Sequence, residues 1–414
     1  MNELTVVFLL AVIAGVGLQW WLAQRQIKMV QSNKNQVPTL FKEKIALSEH
    51  QTAGTYTEIK TRFAQKLLLL ETAILLVWTV GGGLNFLDHT WRAMGWSSLW
   101  TGVAVILSFM LISSLLDLPI SWYRTFRIES TFGFNRMSME TFIADTLKGL
   151  VLSLVIAVPL LTIVLWLMEF AGALWWLWVW FVWIGFTLLM LIAYPTFIAP
   201  LFNKFKPLED SELKQRIDGL LQRNGFTSEG IYVMDGSKRS GHGNAYFTGL
   251  GKHKQIVFFD TLLEGLNVDE VEAVLAHEVG HFKHNHVQKR MFFMGIISLS
   301  GLALLGWLIQ QTAFYNAFGI TMPSTYMALL LFMLIMPVFT FFFSPLFAWA
   351  ARKHEFEADS FAAQQASADC LVQALVKLYK ENANTLTPDP LYSAFYDSHP
   401  PAPVRIAHLN SVGK

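Results

Sequence analysis

Seven apolar stretches, each long enough to cross a bilayer as a helix, divide the chain: 4–23, 67–87, 98–119, 143–167, 173–202, 291–311 and 326–350. About 20 apolar residues rising ~1.5 Å each cover a hydrocarbon core of ~30 Å. The pattern therefore predicts seven transmembrane helices. No Lys or Arg precedes the first run, and basic residues begin only at Arg25 and Lys28. A cleaved signal peptide has its charges before the apolar run. The run is expected to stay as an anchor, N-terminus outside. The sizeable polar insertion, 203–290, predicts a helix over 212–223, a turn at Asn224-Gly225 and short strands at 231–234, 245–248 and 255–259. The expected organisation is a membrane region of five spans (1–203), a cytosolic insertion (204–290), spans six and seven (291–350) and a cytosolic tail (351–414).

Lys and Arg test that layout. The segments assigned to the cytoplasm carry 8 (24–66), 3 (120–141), 12 (203–290) and 6 (351–414) of the 31; Arg92 lies outside and Lys148 within a span. The positive-inside rule demands this asymmetry. Composition agrees, with 53% apolar and 15% charged residues, unlike a soluble chain. A formal charge of +1 provides no field for nucleic acid. With Cys370 as the single cysteine, an intrachain disulfide and Cys-rich metal sites are excluded. Glu71, Asp117, Asp145, Lys148 and Glu169 fall within or at the edge of spans, where a hydrated cavity and interhelical hydrogen bonding are both open readings. Gly81-Gly82-Gly83 permits either close helix approach or a kink, and the tryptophans Trp175, Trp176, Trp178, Trp180 and Trp183 are expected to mark an aromatic belt.

Chemistry concentrates in 267–290. His277, Glu278 and His281 form H-E-x-x-H. Four residues apart on a helix, the two imidazoles lie on one face and can reach one metal ion, while Glu278 can take a proton from a water that the metal activates. Asn267 with Glu270 makes a capping box, and Val268, Val271, Leu275, Val279 and Phe282 form an apolar stripe opposite the histidines. The extended motif needs Gly at 284 and His at 287, where the chain has His284 and Val287, so that subclass is excluded. His284 lies about 10 Å along the axis from His277 and is expected at the surface. The third ligand is sought in 354–359. Glu355 and Asp359 share a helical face, with Glu355 as ligand and Asp359 accepting the second N–H of a ligating histidine; Glu357, rotated by about 200°, is the alternative ligand. Two histidines, a glutamate and an open position make a catalytic site. Strands before the motif helix can offer an edge to an extended peptide. His399 and Arg405, in a proline-rich stretch expected to be a rigid loop, can stabilise an oxyanion or simply lie at the surface.

His277–His281 and Glu355–Asp359, inside a multi-span chain, resemble the type I CAAX prenyl protease family of integral-membrane zinc metalloproteases. Tyr123–Glu129 with Phe132-Gly133-Phe134-Asn135, Pro200–Phe205, Asn244–Phe247 and His399-Pro400-Pro401 with Arg405 resemble its other motifs, in order. The resemblance implies a mainly α fold: seven helices around a water-filled chamber, capped on the cytosolic side by a gluzincin-like domain with a small β element. It implies one Zn2+ on His277, His281 and Glu355, Glu278 as base, Asp359 behind a ligand, substrate at Asn244, Ala245 and Tyr246, and His399 and Arg405 on substrate or oxyanion. Expected partners are the bilayer and a peptide or membrane-protein substrate, prenylated in eukaryotic members; bacterial relatives are expected to degrade faulty membrane proteins. The final Ser411-Val412-Gly413-Lys414 carries no dilysine or KDEL-type signal, which favours a bacterial inner membrane over the endoplasmic reticulum. The alternative function is a non-catalytic membrane channel or scaffold holding structural zinc, for which Glu278 would have no use.

Overall fold

The computed structural model describes residues 2–248 and 253–412, so Gly413 and Lys414 of the C-terminal tetrapeptide lie outside the described residues. The membrane region opens with α1 (Glu3–Asn33), α2 (Leu47–Trp78) and α3 (Gly83–Arg92). Between α2 and α3 the axis bends by 47°, with Gly82 at φ +81° in the break. The glycine run is a kink, at a backbone angle that side chains disfavour. Next come α4 (Ser98–Tyr123), α5 (Met139–Phe170), α6 (Trp175–Ala193) and, after a wide helical turn over Tyr194–Ile198, the short α7 (Ala199–Phe202).

The polar insertion begins with β1 (Phe205–Pro207), α8 (Ser211–Arg223) and β2 (Thr227–Met234). Then follow β3 (Ala245–Thr248), β4 (His253–Phe259), α9 (Asp260–Gly265) and the motif helix α10 (Val268–Lys283). The chain re-enters the membrane through α11 (His286–Leu308), turns at α12 (Thr312–Ala317) and returns as α13 (Thr325–Thr340) and α14 (Ser344–Gln365). The tail forms α15 (Ala368–Glu381), α16 (Pro390–Tyr396) and α17 (Ala402–Val412). Among the described residues six helices are long and apolar enough to span, and seven when the bent α2–α3 pair is taken as one span. This matches the periodicity, and the protein is an integral, multi-pass membrane protein. Within the most apolar windows of the spans only 6–28% of residues are buried by protein. Such surface needs lipid around it.

The sheet order is β1-β2-β4-β3, with β2 and β4 parallel and both outer pairs antiparallel. β3 therefore has one free edge. β1 was not expected from the sequence. Under the sheet, α8, α10, α15 and α17 share a core that includes Leu220, Leu275, Leu375 and Ile406, joined by Val37, Phe41 and Ile45 from the segment between α1 and α2. A second core, at the other end of the bundle, includes Phe8, Leu84, Val105, Leu165 and Tyr326.

Charged residues of the spans find separate solutions. Glu71 lines a cavity of about 560 Å³ together with Gln19, Lys60, Gln65, Arg124 and Glu129. Asp145 receives Arg239 from the insertion at 2.8 and 3.1 Å, and the same guanidinium bonds Asn203 Oδ1 and the Phe202 carbonyl. Lys148 donates to the Leu201 carbonyl at 2.9 Å. Asp117 and Glu169 are exposed. The tryptophans divide: Trp178 and Trp183 face outward, but Trp175 is buried and Trp180 donates to the Gly295 carbonyl at 2.9 Å, fastening α6 to α11.

Two more contacts tie the membrane region to the polar part. Tyr56 donates to Glu129 at 2.7 Å, and Glu129 lies 3.4 Å from His242, on which Phe134 stacks. At the far side Arg25 grips Asp389 in the tail through two hydrogen bonds. The Arg239–Asp145 pair is about four-fifths buried on both sides, and removing one partner of such a pair costs ~3–5 kcal/mol. Arg239→Ala is expected to lower the melting temperature in detergent clearly more than Lys206→Ala, a change at an exposed neighbouring lysine; equal shifts would show that the pair does not join the two regions.

Candidate metal centre

The capping box predicted at the start of α10 forms: Asn267 Oδ1 accepts from Glu270 N at 2.9 Å, and the Glu270 carboxylate accepts from Asn267 N at 2.8 Å. Val271, Leu275 and Val279 pack into the core beneath, so the opposite face presents His277 and His281. That face lies against α14. A Cβ on Gly280 would meet Ala358 Cα at 3.0 Å and its carbonyl oxygen at 3.2 Å. A side chain there would push α10 and α14 apart by a few tenths of an ångström.

Across this contact Glu355 reaches both histidines. His277 Nε2 is 3.3 Å from His281 Nε2 and 3.4 Å from Glu355 Oε2, and His281 Nε2 is 3.3 Å from Glu355 Oε1. In a tetrahedron with bonds of ~2.0–2.1 Å, ligand atoms stand about 3.3–3.4 Å apart. The two imidazole nitrogens stand at that spacing, and Glu355 turns a different carboxylate oxygen to each of them, so the three residues surround one point. Glu355 is 4% exposed, and its Oε2 has no aligned hydrogen bond although His399 Nδ1 lies at 2.7 Å. A buried carboxylate oxygen without a donor is costly, so this donor set fits a bound cation.

One ligand is braced directly from α14. His277 Nδ1 is 2.8 Å from Asp359 Oδ1, and Asp359, fully buried, takes two hydrogen bonds from Arg405 at 2.9 and 2.5 Å. Arg405 Nη2 also approaches His277 Nδ1 at 3.3 Å. Both atoms carry protons once Asp359 accepts from Nδ1, so that approach is not a bond. Burial and the Arg405 charge push the His277 pKa down, yet hydrogen bonds to Asp359 and Glu355 outweigh them and leave it above the ordinary histidine value. Protons and a metal ion therefore compete for this imidazole.

Glu278 follows His277, is half-buried, and has no side-chain hydrogen bond among the described residues. Glu357, the alternative ligand, points elsewhere: its carboxylate is 2.8 Å from His286 Nε2. His286, which the sequence did not single out, in turn places its Nδ1 3.0 Å from His281 Nδ1. His284 stacks on His286, meets Phe361 edge-on and is half-buried rather than at the surface; it lies outside the cluster of three. His399 sits in the loop between α16 and α17 with its side chain 66% exposed. Arg352 holds this loop through the Ser393 and Asp397 carbonyls. Arg405 is not in that loop but on α17, and is 8% exposed. Asn244 is exposed at the start of β3, where its carbonyl accepts from Phe259 N at 3.0 Å. Ala245 and Phe247 pack toward the core, Phe247 lying 5.6 Å from Phe282 of α10, while Tyr246 takes the opposite face of the strand. The free edge of β3 thus runs near the motif helix.

A polytopic bundle joined to a two-helix His2Glu site defines a membrane metalloprotease. Residues 26–204 match the family model described as CAAX prenyl protease N-terminal, five membrane helices, and residues 207–412 match peptidase family M48. CAAX prenyl protease 1 of Saccharomyces cerevisiae is 32% identical over 97% of this chain and 94% of its own length. The CAAX prenyl protease 1 homolog of Homo sapiens is 29% identical over 95% of this chain and 92% of its own. The crystal structure of S. mikatae Ste24p superposes with a TM-score of 0.93 at 30% identity, covering 99% of this chain and 100% of that one. The chain belongs to the CAAX prenyl protease branch of the M48 metallopeptidases.

Adding one methyl at the α10–α14 contact should open the cluster. Gly280→Ala is expected to destabilise by about 1–3 kcal/mol through overpacking, and to lower the metal content of purified protein measured by mass spectrometry. Full metal content would show that the contact does not set the ligand spacing.

Proposed function

We propose that the protein is a zinc endopeptidase that holds one Zn2+ per chain on His277, His281 and Glu355 and cleaves prenylated CAAX-type peptides at the cytosolic membrane face. The observation that carries the reading is the set of three donor separations near 3.3 Å, with the unpartnered Glu278 beside them. Zinc bound there supplies Lewis acidity toward the scissile carbonyl and the attacking water. Glu278 accepts the water's proton and returns it to the leaving amine. Asp359, backed by Arg405, fixes the His277 ring. With Nδ1 against Glu355, His399 can donate to the developing oxyanion only through an Nε2 that also carries a hydrogen, as it does in the imidazolium form.

An extended peptide adds to the free edge of β3, antiparallel or parallel as the register allows, with Asn244, Ala245 and Tyr246 along its path. Arg405 was expected on substrate, but its burial against Asp359 supports a bracing role instead. The lysine and arginine distribution supports a cytosolic site. The relatives reported above are eukaryotic, so the reading keeps that orientation and drops the preference for a bacterial inner membrane. A structural-zinc scaffold would gain nothing from a carboxylate at 278.

The test compares one CAAX peptide with and without its isoprenoid on the purified protein. Wild type is expected to cut the prenylated form; Glu278→Ala should keep zinc while turnover falls ~10²–10⁴-fold, and Glu355→Ala should lose zinc. Zinc at full occupancy in the Glu355 variant would remove it as a ligand, and equal cleavage of both peptides would remove the isoprenoid from recognition.

A further inference from the structure

Glu357 and His286 lie next to the proposed centre and have no part in the chemistry above. α10 ends at Lys283, and Asn285, in the left-handed region at φ 57° and ψ 33°, turns the chain before α11 starts at His286. The turn folds His286 back beside His281. There its ring is 4% exposed and lies parallel to His354 of α14, centroids 4.1 Å apart, with His284 stacked on it at 5.6 Å. A ring held this way has little freedom to rotate. Its two nitrogens have one partner each: Glu357 Oε2 at 2.8 Å from Nε2 and His281 Nδ1 at 3.0 Å from Nδ1.

Proton placement follows from the partners. A carboxylate only accepts, so His286 Nε2 bears the hydrogen and, in a neutral imidazole, His286 Nδ1 is an acceptor. The hydrogen between the two Nδ1 atoms then belongs to His281. His281 Nε2 is left with its lone pair facing His277 and Glu355. We infer that His286 and Glu357 form a relay that fixes the tautomer and ring orientation of His281, as Asp359 does directly for His277. Both histidines of the motif are thus set from one helix, α14, which also supplies Glu355. His286 and Glu357 are positioning residues, and the inference rests on the zinc reading of the preceding section.

Zinc affinity of metal-stripped, full-length protein, measured in detergent against a chromophoric chelator, tests the relay without using activity. Glu357→Ala and His286→Leu are each expected to weaken zinc ~10–100-fold, the usual effect of losing a group that orients a ligand. The double variant should be no weaker than the poorer single one, because the two act in series. His286→Asn, whose Oδ1 can accept from His281 Nδ1, and Glu357→Gln, whose Oε1 can accept from His286 Nε2, should retain most of the affinity. Cobalt(II) taken up by Glu357→Ala should show a broadened visible band. A role in packing alone would lower the melting temperature of Glu357→Ala while leaving its zinc affinity at the wild-type value, and that result overturns the relay, as do losses that multiply in the double variant. Should His286→Leu fail to fold, Glu357→Ala and Glu357→Gln decide, since the Glu357 side chain is 36% exposed. Wild-type protein that takes up no zinc would overturn the metal assignment and the relay together, whereas zinc-binding wild type with unaffected variants sinks the relay only.

Discussion

The contact between Gly280 on α10 and Ala358 on α14 is the constraint on which the site depends. At this separation the carboxylate of Glu355 falls between two imidazoles that its own helix does not carry. Bringing these acceptor atoms to about 3.3 Å of one another in a buried place is unfavourable without a positive charge among them. The fold imposes the arrangement. α10 is fixed by its cap and by the core under its apolar stripe, and α14 continues the last membrane span, broken only over Phe341–Phe343. The site is therefore as well placed relative to the bilayer as that span is.

Catalytic and membrane parts are held in register by pairs that cross between them. Arg239 reaches Asp145, Glu129 reaches His242, and Arg25 reaches Asp389. Two of the three act on the loop leading into β3, since Arg239 and His242 flank Ser240 and Gly241, where Gly241 N also donates to the Phe134 carbonyl. The signature from Tyr123 to Asn135, distant in sequence from the motif helix, therefore serves the strand edge on which substrate is proposed to lie. For the prenylated substrates proposed above, these pairs would hold the strand edge at a fixed distance from the membrane region.

Much of this was legible from periodicity alone. Apolar run lengths gave the spans, the 3.6-residue stripe and Asn267 gave α10, and the face argument separated Glu355 from Glu357. What escaped has identifiable causes. His286 was passed over because continuing the helix puts it on the wrong face, and only the left-handed turn at Asn285, which Asn tolerates and no pattern announces, brings it back to His281. Arg405 was assigned to a loop because three prolines precede it, but Pro401 and Pro403 lie at the entry of α17, where a proline's missing N–H costs nothing. Trp175 and Trp180 look like belt residues by composition, and packing against α11 is a tertiary fact invisible to it.

Charge explains why Arg405 is buried where it is. Glu355 and Asp359 both approach His277 from α14, and with Glu278 alongside three carboxylates crowd one end of a helix. A divalent cation alone would leave that group net negative, which would weaken its pull on a carbonyl oxygen. The Arg405 guanidinium, committed to Asp359 through both of its edge nitrogens and 3.8 Å from Glu355 at the third, brings the sum to neutral without occupying a ligand position. Lysine would carry the same charge but not the fork that orients Asp359. Arg405 thus holds Asp359 against His277 and would also temper the charge around the proposed metal, from a buried position.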